Sequence, residues 1–181
     1  ELVELSELLT LPVATTLNGK SAFPEDHDLS LGIGGFARAT YSSLPATKLA
    51  ESADLILTIG CGFKRHATQV RPATDVVHIQ VDVDPAAINR DEIADVAILG
   101  DSKIVLLQMI NEANFQLKSA EITPNKKRIA EILSYKKEWE AVSSPLLQSS
   151  EKPINPFRVT HELSKLVNKK DTIVLHDAGT V

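Results

Sequence analysis

Two glycines and two carboxylates set the chemical question. Gly60 and Gly62 close the run Leu55-Ile56-Leu57-Thr58-Ile59, and Asp82 and Asp84 close the run Val76-Val77-His78-Ile79-Gln80-Val81. Glycine lets a backbone turn sharply and approach a ligand closely, while a carboxylate at a neighbouring strand end accepts hydrogen bonds from the hydroxyls of a ribose-like group. Each run is apolar and rich in β-branched residues, the pattern of a parallel strand buried on both faces. Open α/β sheets bind ligands at the carboxyl ends of such strands. The chemistry indicated is the binding of a nucleotide-type ligand.

As a dinucleotide fingerprint the signal is weak. Arg65 stands where a third glycine would be, and the stretch from Gly62 to Val76, with Pro72 and no apolar stripe, leaves no room for a crossover helix on whose N-terminus a pyrophosphate would rest. The glycines either serve a ligand or merely terminate a buried strand, and motif strength does not separate the two. Asp82 and Asp84 share one face of an extended strand, where a cation could sit, but capping by Asp84 ahead of Pro85 is the plainer role. Arg38, Arg65 and Arg71 fall in loops near this edge, as phosphate partners or as ordinary surface. Histidines at 27, 66, 78, 161 and 176 lack the close spacing of a zinc site, so no metal site is expected. Cys61 has no base near it in sequence and reads as a small residue packed in the glycine turn. No Ser-His-Asp or Cys-His arrangement is evident, and no catalytic residue is assigned.

The elements that must position this edge follow from periodicity. Leu2, Leu5 and Leu9 share a helical face, yet no residue precedes Glu1 to cap it, so the chain reads as truncated upstream. Pro12 introduces a short strand, 13–16, and 21–41 reads as a long irregular loop, a feature that is usually functional. Helical periodicity at Leu49 and Ala53 precedes the strand at 55–59. A brief helical turn at 86–89 leads to the strand 96–99, and Asp101 or Ser102 caps a helix with a buried stripe of Leu106, Met109, Ile110 and Ala113. Residues 114–128 read as a connection. A second helix then carries Ile132, Tyr135, Trp139 and Val142, followed by a Ser/Pro-rich linker. Asn155 and Pro156 start a third helix, with Val159, Leu163, Leu166 and Val167 on its apolar face. The strand from Thr172 ends at His176-Asp177-Ala178-Gly179-Thr180, where the chain again reads as truncated.

The predicted architecture is a three-layer α/β fold with a mostly parallel sheet. Composition agrees: 181 residues, 43% apolar and 24% charged, are ordinary for a globular domain with a core. A formal charge of −5 argues against nucleic acid as partner, and the paired lysines at 126, 127, 136, 137, 169 and 170 read as solvated surface. No apolar run approaches a membrane span, and no signal peptide opens the chain. The single cysteine fits a reducing, cytoplasmic compartment.

The segment Leu11-Pro12-Val13-Ala14-Thr15-Thr16-Leu17-Asn18-Gly19-Lys20-Ser21-Ala22-Phe23-Pro24-Glu25-Asp26-His27 resembles the central domain of the thiamine-diphosphate-dependent enzymes of the acetolactate synthase and pyruvate oxidase group. Ordered similarity continues through 29–32, 53–60, 77–85 and 97–101. The tail, Ile154-Asn155-Pro156 through Thr180, resembles the opening of the family's diphosphate-binding domain.

The resemblance implies a central domain at 1–142 lacking its first strand, a linker at 143–154 and the start of the diphosphate-binding domain at 155–181. It implies a homo-oligomeric enzyme acting on a small 2-keto acid with thiamine diphosphate and magnesium. Ala178, Gly179 and Thr180 would lie at the edge of that cofactor. The catalytic glutamate and the magnesium-binding motif belong to segments outside these residues, so the chain alone is expected to be inactive. Acetolactate synthases hold FAD in this domain, which would place Thr16, Leu17, Asn18, Gly34, Gly35, Gly60, Gly62, Arg65, Asp82, Val83, Asp84 and Asp101 along it, whereas other relatives bind ADP or nothing. The family's "GMHG" appears here as Gly32-Ile33-Gly34-Gly35 without its histidine, and "GARFDDR" as Gly60-Cys61-Gly62-Phe63-Lys64-Arg65.

Two other readings compete. One is a stand-alone nucleotide-binding module of the deoxyhypusine synthase or sirtuin type, although one cysteine rules out a four-cysteine zinc site. The other is a non-catalytic assembly domain. A final expectation is that Thr172–Gly179 fills the place of the missing strand and pairs with the strand at 13–16 or at 55–59.

Overall fold

The computed structural model describes residues 1–34, 43–62, 76–120, 122–168 and 170–174. The chain divides into two compact units, Glu1–Lys136 and Lys137–Val181.

The first unit opens with α1 (Leu2–Leu9), which has no side-chain cap at Glu1 and ends at Thr10 in the left-handed conformation, φ 56°. Pro12 forbids continuation, and β1 (Val13–Thr15) pairs in parallel with β2 (Ser30–Ile33). The register shifts between Val13 and Ala14, so that Ala14 faces Gly32 and Thr15 faces Ile33. A strand therefore lies inside the stretch expected to be wholly irregular: Leu29 and Leu31 alternate with Ser30 and bury into the core, a signal too short to register as a period. Helix α2 (Leu44–Glu51) is capped by Ser43, whose hydroxyl accepts from the backbone N–H of Ala46, with Pro45 in its first turn.

A second sheet, order β3-β4-β5, is parallel throughout: β3 (Leu55–Ile59), β4 (Val77–Asp82) and β5 (Val96–Leu99). All the described pairings are parallel, so the fold is mixed α/β with parallel sheets, as predicted. Helix α3 (Ser102–Lys118) buries Val105, Leu106, Ile110 and Ala113, and Met109 packs beside them as a core residue. It runs well into the expected connection at 114–128, because Asn114 and Gln116 satisfy local partners, the Ile110 carbonyl and the Glu112 carboxylate.

Two cores hold this unit. Phe23, Leu29, Leu31, Ala46, Leu49 and Ile132 form one; Leu5, Leu106 and Ile110 form the other, against which Ile59 packs. Leu2 touches both, so α1 joins them.

Helix α4 (Lys127–Leu147) supplies Ile132 and Tyr135 to the first core and continues through Pro145, past the point where serine and proline suggested a linker. In the second unit Asn155 caps α5 (Pro156–Leu166) by accepting from the N–H of Phe157, with Pro156 in the first turn as expected. The apolar residues of α5 are not buried: Val159 and Leu163 are about half exposed, and Leu166 is 83% exposed. Thr172, Ile173 and Val174 form no strand, and no described pairing joins them to β1 or β3. The expected ladder is absent from the described part of the tail; residues 175–181 lie outside it.

Candidate functional site at the strand ends

Because the strands are parallel, their carboxyl ends gather the singled-out residues. Gly60 and Gly62 follow β3, Asp82 ends β4 with Val83 and Asp84 just beyond, and Gly100-Asp101 follow β5, all on one edge of the three-stranded sheet. Thr16, Leu17 and Asn18 follow β1, and Gly34 follows β2, on the corresponding edge of the two-stranded sheet. Gly35, Arg38, Arg65, His66, Arg71, Ala178, Gly179 and Thr180 lie outside the described residues, as does the connection from 63 to 75.

The glycines differ in why they are glycine. Gly60 has φ +61°, a conformation that side chains rarely adopt, and a Cβ there would meet nothing within 4 Å among the described residues; its N–H donates to the Val81 carbonyl at 2.9 Å. A Cβ on Gly62 would stand 2.5 Å from Arg90 Nη2, and one on Gly34 2.8 Å from Ala14 Cβ. Among the described residues the space beside Gly60 is clear, while Gly34 and Gly62 make room for the protein itself.

The carboxylates are likewise divided. Asp82 is buried and its Oδ1 accepts from the N–H of Asp84 at 2.9 Å; Asp84 is exposed and its Oδ1 accepts from the N–H of Ala86 at 2.9 Å. Residues 85–89 form turns rather than a helix, so Asp84 closes a turn and caps no helix. Asp101 caps α3 by accepting from the N–H groups of Lys103 and Ile104 at 3.0 and 3.2 Å. Thr16 Oγ1 accepts from the N–H of Gly19 at 3.0 Å, which leaves Leu17 and Asn18 exposed at the tip. Among the described residues, the clear side of Gly60 and the exposed Val83 and Asp84 border the carboxyl edge of the larger sheet.

His78, Gln80 and Arg90 also shape this edge and were not among the expected site residues. On β4, His78, Gln80 and Asp82 share one buried face beneath the connection to β5. His78 is hydrogen-bonded to Thr58 Oγ1 at 2.9 Å, and its backbone N–H donates to Asp95 Oδ2 at 2.8 Å. The Gln80 side-chain amide donates to the Ala87 carbonyl at 3.1 Å and accepts from the N–H of Asn89 at 2.9 Å. Arg90 Nη2 then donates to the Gly62 carbonyl at 3.2 Å. The available signal was the alternation of polar residues within a strand expected to be buried on both faces, since buried polar groups require partners. Among the described residues no group of three His, Cys, Asp or Glu side chains could hold a metal ion, and no helix is long and apolar enough to cross a membrane.

An α/β domain with parallel sheets and an open glycine turn at one carboxyl edge is the class that this geometry defines. The chain belongs to the thiamine pyrophosphate enzyme central-domain family, whose model matches residues 1–109. It is similar to the probable acetolactate synthase large subunit of Methanococcus aeolicus, 31% identical over 99% of this chain and 30% of that protein. The probable large subunit from Methanocaldococcus jannaschii is 34% identical over 99% of this chain and 29% of that protein. The acetolactate synthase large subunit of Cyanidium caldarium is 29% identical over 93% of this chain and 28% of that protein. The chain thus spans about three tenths of the length of these relatives.

Proposed function

We propose that this chain is the central domain, with the beginning of the diphosphate-binding domain, of an acetolactate synthase-like enzyme that joins or decarboxylates 2-keto acids. The observation that carries the reading is the similarity to two acetolactate synthase large subunits over 99% of the chain, tail included. The proposed limits are 1–142 for the central domain, 143–154 for the linker, whose first residues are the end of α4, and 155–181 for the next domain. Thiamine diphosphate, when bound with magnesium in the whole enzyme, supplies the carbanion chemistry. The residues of this chain proposed for its edge are Ala178, Gly179 and Thr180.

Within the central domain, the carboxyl edge of the larger sheet is the proposed seat for the adenosine portion of FAD or ADP. Gly60 offers its backbone without a side chain in the way, and the exposed Asp84 offers a carboxylate to ribose hydroxyls. The buried Asp82 holds the turn that presents Asp84. Leu17, Asn18 and Val83 are exposed side chains suited to bordering a ligand.

Thermal unfolding with FAD, ADP or NAD tests this. Ligand at about 100 times its Kd stabilises the folded chain by about 2.7 kcal/mol, an easily measured rise in Tm. FAD or ADP should raise the Tm. Flat melting curves with all three at millimolar concentration would return the glycines to the role of strand terminators.

A further inference from the structure

We infer that Arg90 is a positioning residue for the nucleotide groove: its guanidinium clasps the carbonyl of Gly62 and holds the glycine turn after β3 against the turn after β4. The inference rests on the nucleotide-binding reading above for its consequence, but not for its geometry.

The turn that carries Arg90 is fixed on its inner side. Asp84 accepts from Ala86, Gln80 engages both Ala87 and Asn89, and Asn89 takes the left-handed conformation, φ 56°. Asn89 Oδ1 also accepts from the N–H of Ala94 at 2.8 Å. Arg90 Nε donates to Asp91 Oδ2 at 2.9 Å, which orients the guanidinium, and Nη2 reaches the Gly62 carbonyl at 3.2 Å. The described ladder between β3 and β4 runs to Ile59 and Val81, and the Gly60 N–H adds a bond to the Val81 carbonyl. Two residues further on, the Arg90 bond ties the turn across.

The seat exists because residue 62 has no side chain. A Cβ there would lie 2.5 Å from Nη2, a distance that real contacts do not show, and the flexible end of the arginine would be the part to move. Gly62→Ala should therefore dislodge the guanidinium while leaving the strands intact, reproducing Arg90→Ala from the other side. Arg90 acts through the backbone that a ligand would approach at Gly60, so its loss should weaken every adenosine-containing ligand, charged or not.

The experiment compares the full 181-residue chain with Arg90→Ala, Gly62→Ala and the double variant. Thermal unfolding is measured for all four, along with the affinities of ADP and of uncharged adenosine. Each single variant should lower both affinities by the same factor, about fivefold, and the double variant no further. The unfolding effects should be non-additive in the same way. Loss of ADP binding with adenosine unchanged would make Arg90 a direct phosphate ligand and overturn the clasp, as would effects that simply add. If the unsubstituted chain binds neither ligand, the nucleotide reading fails and the unfolding cycle alone decides: coupling between positions 62 and 90 upholds the clasp, and additivity overturns it.

Discussion

Lys136 reaches from α4 to the carbonyls of His27 at 2.9 Å and Asp28 at 3.2 Å, fastening the helix to the loop between β1 and β2. Partial burial pushes its pKa below the usual 10.5, and the charge of Asp28 pulls back only in part. The consequence for stability has a definite sign. Between the lowered folded-state pKa and 10.5 the unfolded chain binds more protons than the folded one, so stability rises with pH through that window. Below it the burial penalty on the charged amine is present in full. Urea unfolding at a series of pH values up to 10.5 should show this rising component in the unsubstituted chain and not in Lys136→Met. A component that falls with pH instead would contradict the assignment. The side chain is partly solvated, so the change should be small.

Among the elements, α3 shows how one residue can serve the fold at a place where a ligand role was also expected. Asp101 stands at the carboxyl end of β5, yet Oδ1 is committed to the first free N–H groups of the helix. Asp101→Ala should lower stability by about 1 kcal/mol, while Asp101→Asn, which keeps the accepting oxygen, should lower it far less. Chemical denaturation of the two variants checks this, and equal losses would deny the cap. The same helix shows where the sequence was legible and where it was not. Its start was readable from an Asp-Ser pair ahead of an apolar stripe, but its end was obscured, because Asn114 and Gln116 continue the helix through side-chain bonds that periodicity does not register. Strands β3 and β5 were readable as apolar runs bounded by small or acidic residues, but the burial of β3 and β4 on both faces that such runs suggest is not found, since Leu55 and Val77 are exposed. Strand β2 has four residues, two of them Ser30 and Gly32, and only its pairing with β1 makes it a strand. Of the site, the strand ends were visible. The clasp was not, because Gly62 and Arg90 lie 28 positions apart and meet only once the sheet has formed.

At the scale of the whole molecule, the described residues supply two parallel sheets and a candidate nucleotide edge. The larger sheet is organised by β4, whose buried polar face pins the connection to β5, and the smaller sheet by packing under Phe23 and Ile132. On the reading proposed above, the catalytic glutamate and the acidic magnesium motif lie in segments other than residues 1–181. A cofactor that performs carbanion chemistry still depends on protein groups to bind, orient and protonate it. With thiamine diphosphate and magnesium added, the 181-residue chain should therefore neither decarboxylate pyruvate nor condense it. Carbon dioxide release and acetolactate formation should match a control without protein, even where thermal unfolding shows the chain folded. Turnover above that control would mean that the residues present suffice for catalysis and would overturn the assignment of this chain to a supporting domain.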